Sequence, residues 1–234
     1  MTTQSPQQPR RESLLGQGAL PYTAPFGIFL VFLAARSWLP FPAEWVQAFQ
    51  FGIVLLVLIT LSRHAMRGRM AHPVGSVVLG VAVFCIWVGP DLLWPAYRHY
   101  WLFENRLVGA AASSLAPRLR TNVMFLVFRV LVSVINVPAL EELFWRGWMM
   151  RWLISTNFRE VPLGSYTARS FWLVAILFAT EHGPFWDVGL IAGILYNWWM
   201  VRTSSLSDCM TAHAVTNACL AWYVLTRNQW QYWL

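Results

Sequence analysis

Three short stretches of an otherwise apolar sequence carry side chains of the kinds that hydrolyse peptide bonds. The first contains two adjacent carboxylates, Glu141 and Glu142, the second ends at His182, and the third contains His213 with Asn217 four residues later. A carboxylate can take a proton from a water molecule, and an imidazole can share that task. An imidazole N–H and an amide N–H can stabilise the oxyanion that forms when the water attacks a carbonyl group. These residue types therefore favour peptide hydrolysis through an activated water.

The two carboxylates of the first stretch are expected to point in different directions. Glu142 and Arg146 are four residues apart, so they share one face of a helix and can form an ion pair. Glu141 points about 100° away by helix geometry, so it is available to another partner. Pro138 removes one backbone donor and is expected to leave the Val134 carbonyl unpaired and to kink the helix. The alternative is an ion pair at the membrane interface, with the arginine reaching towards water.

The histidines of the other two stretches are also placed at helical positions. Gly183 and Pro184 follow His182 and should end its helix, so that freed carbonyl groups can accept an imidazole N–H and fix its tautomer. His213 and Asn217 share one helix face. The alternatives are an interfacial histidine without a role at the first position and a structural hydrogen bond between helices at the second.

The elements that hold these residues are expected to be membrane spans. The chain of 234 residues is 57% hydrophobic and 12% charged, whereas roughly 25% of the residues of an ordinary soluble domain are charged. The 15 tryptophans agree with this, because tryptophan concentrates at membrane–water interfaces. An ionisable residue at the centre of a spanning helix costs at least about 2.5–3.5 kcal/mol on insertion. Several such residues in three segments therefore indicate a shared polar site inside the bilayer.

Apolar runs close to the length needed to cross a bilayer, roughly 17–25 residues, recur along the chain. The candidate spans are 24–39, 45–62, 74–94, 122–154, 170–182, 188–201 and 209–225. The sequence thus predicts an all-α, polytopic transmembrane helix bundle of about seven crossings, with a polar site inside the bundle. Residues 95–120 are expected to form a loop with a short interfacial helix. The three cysteines are expected to be small buried hydrophobes without a disulfide.

The composition divides the chain into four parts. Residues 1–22 are rich in Gln, Pro, Ser and Thr and lack the apolar region of a signal peptide, so they are expected to be a flexible N-terminal tail. Residues 23–120 are expected to contain N-terminal transmembrane helices and the interfacial loop. Residues 121–226 should form the core that holds the polar site, and 227–234 a C-terminal tail.

The basic residues indicate an orientation in the membrane. The net charge is +7 and all 17 positive side chains are arginine, placed between the apolar runs. This placement is typical of topology determinants and headgroup contacts rather than of a nucleic-acid surface. With Arg10 and Arg11 in the cytoplasm, the arginines of residues 63–69 and 151–169 and Arg202 also lie inside, as the positive-inside rule favours. The four arginines of residues 95–120 would then lie outside, against that rule.

The three stretches resemble, in order and in internal spacing, the motifs of a known family. Glu141-Glu142-x-x-x-Arg146, Phe178-x-x-x-His182 and His213-x-x-x-Asn217 are similar to the three motifs of the CaaX-protease and bacteriocin-processing family of intramembrane glutamate proteases. The resemblance covers roughly residues 120–226. Residues around the motifs further resemble a bacterial subgroup, the CaaX prenyl protease-related proteins, which is associated with exosortase protein-sorting systems. These residues are 144–148, 181–184 and 195–199.

The resemblance implies a role for each motif residue. Glu141 and His182 would activate the water, His213 and Asn217 would form the oxyanion site, and Glu142 and Arg146 would support the structure or orient the substrate. The chain would then be a multi-pass endopeptidase of the bacterial cytoplasmic membrane that needs no cofactor. Its substrate would be a membrane-associated peptide or protein, in some family members a prenylated one, cut near its C-terminus. The lipid bilayer is the other expected partner, no nucleic acid is expected, and the sequence carries no signal for an oligomeric state.

Three other functions are open at this point. A zinc-dependent membrane protease is one, because two His and two Glu can ligate zinc beside a bound water, although a His-Glu-x-x-His motif is not present. A transporter or proton relay also places Glu, His and Arg inside a membrane. Transporters commonly contain internal repeats, which this sequence lacks. The third is a non-catalytic scaffold.

Overall fold

The architecture is a bundle of helices. The computed structural model describes residues 18–113 and 115–233. Most of the predicted N-terminal tail, including Arg10 and Arg11, therefore lies outside the described residues. Seven long helices are present in these ranges, and no strand is found there. They are α1 (Leu20–Ala35), α2 (Ala43–Ser62), α3 (Pro73–Leu93), α4 (Val123–Trp152), α5 (Ala168–Thr180), α6 (Trp186–Thr203) and α7 (Leu206–Arg227).

The surface of the bundle is suited to lipid. Helices α2, α3 and α4 are long and apolar enough to cross a bilayer, and α1 and α5 are shorter apolar helices. Large apolar side chains are exposed on the outer faces of the long helices, among them Leu56, Val78 and Val127. Such an extended exposed apolar surface is expected where the surroundings are hydrocarbon. The predicted all-α polytopic membrane bundle is confirmed.

Helix α1 begins earlier than the sequence predicted. Its predicted span was 24–39, whereas the helix runs from Leu20 to Ala35. Pro21 fits the first turn, where its missing N–H would have no partner within the helix. Pro25 cannot donate to the carbonyl of Pro21, and the Ser62 hydroxyl donates to that carbonyl instead, at 2.6 Å. The end of α2 therefore completes the hydrogen bonding at the start of α1.

Helix α4 continues past Pro138, where the sequence predicted a kink. The helix contains π-helical segments at Val132–Asn136 and Leu143–Met149, on either side of α-helical Val137–Glu142. Hydrogen bonds in a π-helix reach back five residues rather than four, so the chain passes the proline without ending the helix. π-Helical turns occur frequently at functional sites, and these two flank the pair of adjacent carboxylates.

Helix α7 lies at the centre of the bundle, where it packs most extensively on α3 and also contacts the middle of α4. The closest approach is at Gly80 of α3. A methyl group at this position would overlap the backbone carbonyl of Ala212 and would lie 2.7 Å from Cβ of Val215. Small residues allow helices in membranes to approach in this way. Helix α7 carries two of the predicted site residues, so this contact helps to fix their position.

A substitution at Gly80 should therefore destabilise the α3–α7 contact. We expect Gly80→Ala to lower the free energy of unfolding by about 1–3 kcal/mol, because the added methyl group forces the two helices apart. The measurement is thermal unfolding of the purified protein in detergent. Gly89→Ala on the same helix is the control, since nothing lies within 4 Å of a Cβ there, and it should be neutral or stabilising by up to about 1 kcal/mol. Equal losses in both variants would contradict the close contact.

The segments outside the long helices differ in detail from the predictions. Residues 95–120 contain two short 3₁₀ helices, Tyr97–His99 and Pro117–Arg120, where one interfacial helix was expected. The predicted C-terminal tail contains a third, Trp230–Tyr232, and Tyr232 and Trp233 are buried in an apolar cluster. The tail is held because its aromatic side chains have an apolar surface to cover.

The cysteines follow the prediction only in part. All three are free thiols, as expected, and Cys209 is buried. The prediction was wrong for Cys85, which is exposed on α3. A small apolar side chain is compatible with either a protein or a lipid neighbour, so composition does not distinguish the two.

Candidate active site

Arg146 and Glu142 are both completely buried. The guanidinium group of Arg146 donates to three acceptors: Glu142 Oε1 at 3.2 Å, Asn197 Oδ1 at 2.9 Å and the Gly193 carbonyl at 3.3 Å. The ion pair predicted from the four-residue spacing is therefore confirmed. The interfacial alternative is wrong, because the arginine points into the bundle rather than towards water.

Aromatic rings complete the surroundings of this guanidinium group. It lies 4.6 Å from the ring centre of Phe178 on α5 and 5.5 Å from that of Tyr196 on α6. Cation–π contacts of this kind stabilise a desolvated arginine by up to about 2 kcal/mol. Arg146 thus joins α4, α5 and α6 at the level of the carboxylates.

Glu142 orients His213. The Nδ1 atom of His213 lies 3.0 Å from Glu142 Oε1, the same oxygen that Arg146 contacts. An ionised carboxylate only accepts hydrogen bonds, so Nδ1 carries the proton and Nε2 points away from Glu142. The ring of Tyr196 stacks on the imidazole at 5.1 Å, and its hydroxyl donates to Thr216 at 2.8 Å. The imidazole is held on one edge and one face.

Glu141 has different surroundings from its neighbour. Its Oε2 atom is buried and has no hydrogen-bond partner among the described residues. The same oxygen lies 4.0 Å from Nε2 of His213, beyond hydrogen-bonding distance but within reach of one bridging atom. The two carboxylates therefore point apart, as helix geometry predicted. Glu142 contacts Arg146 and Nδ1 of His213, whereas Glu141 faces Nε2 of His213.

His182 lies in the turn after α5. The helix ends at Thr180, and Gly183 follows with a φ of +51°, a conformation that favours glycine. Nδ1 of His182 lies 2.8 Å from the Phe178 carbonyl, so it donates there and Nε2 is left as the acceptor. The predicted helix end and the predicted contact between the imidazole and a freed carbonyl are both confirmed.

Both histidines lie beside one aromatic ring. The ring of Phe178 lies 4.8 Å from the His182 imidazole and 6.1 Å from that of His213. Trp87 of α3 contacts the His182 ring at 5.1 Å. The fold thus brings the second and third sequence stretches together.

Asn217 has a specific backbone partner. Val137 N–H donates to the Val132 carbonyl, five residues back. In that register the next donor, at Pro138, would face the Ser133 carbonyl, but proline has no N–H. Nδ2 of Asn217 donates to this carbonyl at 2.8 Å. The sequence prediction named the Val134 carbonyl, and the π-helical turn moves the unpaired carbonyl one residue earlier.

A second buried arginine supports the turn that contains His182. Arg98 is 6% exposed and donates to Asp91 at 2.8 Å, to Asp187 at 2.6 Å and to the Pro184 carbonyl at 2.8 Å. Tyr97 also donates to Asp187, at 2.7 Å. Burial and this hydrogen bond raise the pKa of Tyr97 to about 12, so the hydroxyl remains a donor into the alkaline range.

Removing the Arg98 charge should weaken the fold and the site together. We expect Arg98→Gln to lower the free energy of unfolding by about 3–5 kcal/mol, because two partly buried carboxylates lose their cation. Peptide hydrolysis should also fall, since the Pro184 contact next to His182 is lost. Thermal unfolding and a cleavage assay measure the two effects. Arg106→Gln is the control, because Arg106 is exposed. An unfolding temperature equal to that of the control would contradict this role.

Several of these contacts were missed in the sequence. Asn197 lies inside a predicted span and could have been found by the same argument from the cost of polar groups in a membrane. Tyr196 and Phe178 could not, because aromatic residues are common throughout the spans. Arg98 lies in a loop with other arginines, and only its burial distinguishes it.

The positions of the six motif side chains define a class of protein. Two carboxylates, two imidazoles, an amide and an arginine from two helices and one turn lie inside a helical membrane bundle. Within the described ranges, no group of three or more His, Cys, Asp or Glu side chains has the geometry to hold a metal ion. The protein is an integral membrane protein with acidic and basic side chains buried in its interior.

Comparison with known families is consistent with this class. Residues 123–219 match the family model described as Type II CAAX prenyl endopeptidase Rce1-like. The match begins with α4, ends in α7 and contains all three motifs. The match supports the resemblance of these residues to the CaaX-protease and bacteriocin-processing family, which is a family of proteases. Comparisons with curated proteins and with solved structures gave no match.

Proposed function

We propose that this protein is an intramembrane endopeptidase that hydrolyses a peptide bond of a membrane-associated substrate with an activated water. The observation that carries the proposal is the contrast between the adjacent carboxylates. Glu142 is engaged by Arg146 and His213, whereas one oxygen of Glu141 is buried without a partner and faces His213. A buried carboxylate oxygen without a partner is costly. A water between it and an imidazole would satisfy the oxygen and would be placed for attack.

In the first chemical step, Glu141 accepts a proton from the attacking water. A water bound to Glu141 gives a proton to the carboxylate while its oxygen attacks the scissile carbonyl carbon. Nε2 of His182 is an acceptor, because Nδ1 donates to a backbone carbonyl. It can therefore share the proton or hold the water in position. Collapse of the tetrahedral intermediate returns the proton from Glu141 to the leaving amine, so the enzyme ends as it began.

His213 and Asn217 stabilise the oxyanion by donating hydrogen bonds to it. Protonated His213 has an N–H at Nε2, and its Nδ1 atom is held by Glu142 at 3.0 Å. Asn217 has two amide hydrogens, one of which goes to the Ser133 carbonyl. The other is available to the oxyanion. Removing one such donor typically costs about 10²–10³ in kcat.

The proposed reaction uses no metal ion, and the enzyme is proposed to work in the bacterial cytoplasmic membrane. Glu142 and Nδ1 of both histidines already bind protein groups, which supports water activation by Glu141 itself. A zinc-dependent hydrolysis would instead require some of these contacts to be exchanged for metal ligation.

The test is cleavage of a membrane-anchored peptide library by the purified full-length protein in lipid, with and without a metal chelator. Mass spectrometry of the products identifies the cleaved bond. Cleavage that is unaffected by the chelator is expected. Loss of cleavage with the chelator, restored by zinc, would favour the metalloprotease. A failure to cleave any member of the library, by a folded protein, would favour a transporter or a scaffold.

A further inference from the structure

Glu181 is a carboxylate beside the proposed active site that none of the proposed steps uses. It follows the last residue of α5 and directly precedes His182 in the chain. Its Oε2 atom accepts a hydrogen bond from the indole N–H of Trp145 at 3.1 Å. Trp145 lies on α4 four residues after Glu141, so these two residues share one face of that helix. Glu181 is therefore tied to the helix face that carries Glu141, and to His182 through the backbone.

The donor that holds Glu181 is itself fixed in position. Trp145 is only 5% exposed. Its ring packs against three other aromatic rings, with ring centres 6.0 Å away for Phe26, 4.8 Å for Phe144 and 6.4 Å for Phe178. The direction of the indole N–H is thus set by packing, and the carboxylate of Glu181 is oriented before a substrate binds. A group oriented in advance binds a ligand at a lower entropic cost.

The place of Glu181 in the fold is unfavourable for an anion. The carboxyl end of a helix has a partial negative charge, so acidic side chains are stabilised in the first turn and destabilised after the last. Glu44, Asp187 and Asp208 follow this rule, because they lie in the first turns of α2, α6 and α7. Glu181 lies at the opposite end of its helix. Proteins commonly break such local rules at functional sites.

The protein supplies no cation to compensate this charge. In the part of the chain that the structure describes, no arginine or histidine forms an ion pair with Glu181. Cations are not scarce, since the chain contains 17 positive side chains and has a net charge of +7. Glu181 is also exposed, so a positively charged group of another molecule can reach its carboxylate.

We propose that Glu181 binds a lysine or arginine side chain of the peptide substrate, so that the site selects peptides with a basic residue close to the cleaved bond. This role rests on the proposed function, which places the substrate beside Glu141 and His182. An ammonium or guanidinium group can make a charge-assisted hydrogen bond to a single carboxylate. A divalent metal ion would need several oxygen ligands, and the described residues contain no group of three acidic, His or Cys side chains that could hold one.

The experiment uses a library of peptides with one apolar membrane anchor, in which each residue next to the anchor is Ala, Leu, Lys, Gln or Glu at equal frequency. The full-length protein cleaves the library in nanodiscs of phosphatidylcholine. Mass spectrometry of the products shows which residue stands at each position around the cleaved bond. For the wild-type protein we expect lysine to be enriched about fivefold over glutamine at one of these positions, as for a partly exposed ion pair.

Substitutions of Glu181 test whether this preference comes from its charge. Glu181→Gln keeps an oxygen that can accept from Trp145, but the preference for lysine over glutamine should disappear. Glu181→Arg should reverse the preference, so that glutamate is enriched over lysine. Glu160→Arg is the matched control, because Glu160 is exposed in the loop before α5, and it should keep the wild-type preference. The lysine-to-glutamine ratio is measured within each variant, so a general loss of stability or rate does not change it.

Binding of the same library to a Glu141→Gln variant separates this role of Glu181 from the proposed function. Enrichment of lysine in the bound peptides, lost when Glu181→Gln is added, supports the cation site even if the wild-type protein cleaves no peptide. Cleavage without a lysine preference, or with a preference that Glu181→Gln retains, would overturn the role and leave the protease intact. Loss of the preference when phosphatidylethanolamine replaces part of the phosphatidylcholine would also overturn it, by assigning Glu181 to a lipid amine.

Discussion

Replacing Glu141 by Gln is expected to reduce peptide hydrolysis by about 10²–10⁴-fold, with the protein still folded. Glutamine has nearly the same shape as glutamate but cannot accept a proton from the attacking water. The partnerless Oε2 of Glu141 makes no hydrogen bond that the fold requires, so stability should change little. The loss should appear in kcat more than in KM, because the carboxylate acts on the reacting water rather than on the bound peptide.

The control for this result is the same chemical change at an exposed carboxylate. Glu160 is exposed in the loop before α5, and Glu160→Gln should retain full activity. The rate of cleavage and the unfolding temperature are measured for both variants in the same lipid. Cleavage by Glu141→Gln at the wild-type rate would rule out Glu141 as the base, and the role would have to pass to a histidine.

Replacing Arg146 by Leu is expected to lower the free energy of unfolding by about 3–5 kcal/mol. Glu142 would remain buried without its cation, and Asn197 and the Gly193 carbonyl would each lose a donor. The rings of Phe178 and Tyr196 would also lose the guanidinium group between them. Low yield and a large fall in unfolding temperature are the measurable results.

A second substitution distinguishes the charge from the packing. In the double variant Glu142→Met with Arg146→Leu, the buried carboxylate is gone, so part of the lost stability should return. Hydrolysis should not return, because His213 has lost the carboxylate that orients it. Arg169→Leu is the control, since Arg169 is exposed. A single Arg146→Leu variant as stable as this control would show that the ion pair contributes nothing to the fold.

The local parts of the site could be predicted because they lie within a single helical turn. The Glu142–Arg146 pair follows from residues four apart. The end of α5 shortly before Gly183 follows from the backbone preferences of glycine and proline, and so does the imidazole contact with the Phe178 carbonyl. The hydrophobicity of the chain likewise determined that the helices would form a membrane bundle.

The π-helical turns were not predictable in the same way. Pro138 indicated that the hydrogen bonding of α4 would change at this point. It did not indicate that the bonds would reach back five residues instead of four. The Ser133 carbonyl faces the proline in this register, and Asn217, on another helix and 84 residues away in sequence, donates to it. Sequence spacing along α4 alone does not indicate that partner.

The sequence by itself determined the class of protein, the helical spacing of the six motif residues and the separation of the two carboxylates on α4. Only the tertiary structure decided that Glu142 would hold His213, 71 residues away, and that Arg146 would be enclosed by α5 and α6. Only the tertiary structure decided, too, that Arg36, Gln50 and Arg129 would line one cavity. The physical reason is that spacing along one helix follows from 3.6 residues per turn. Which faces of different helices meet depends instead on side-chain packing across the whole bundle, including close contacts such as that at Gly80.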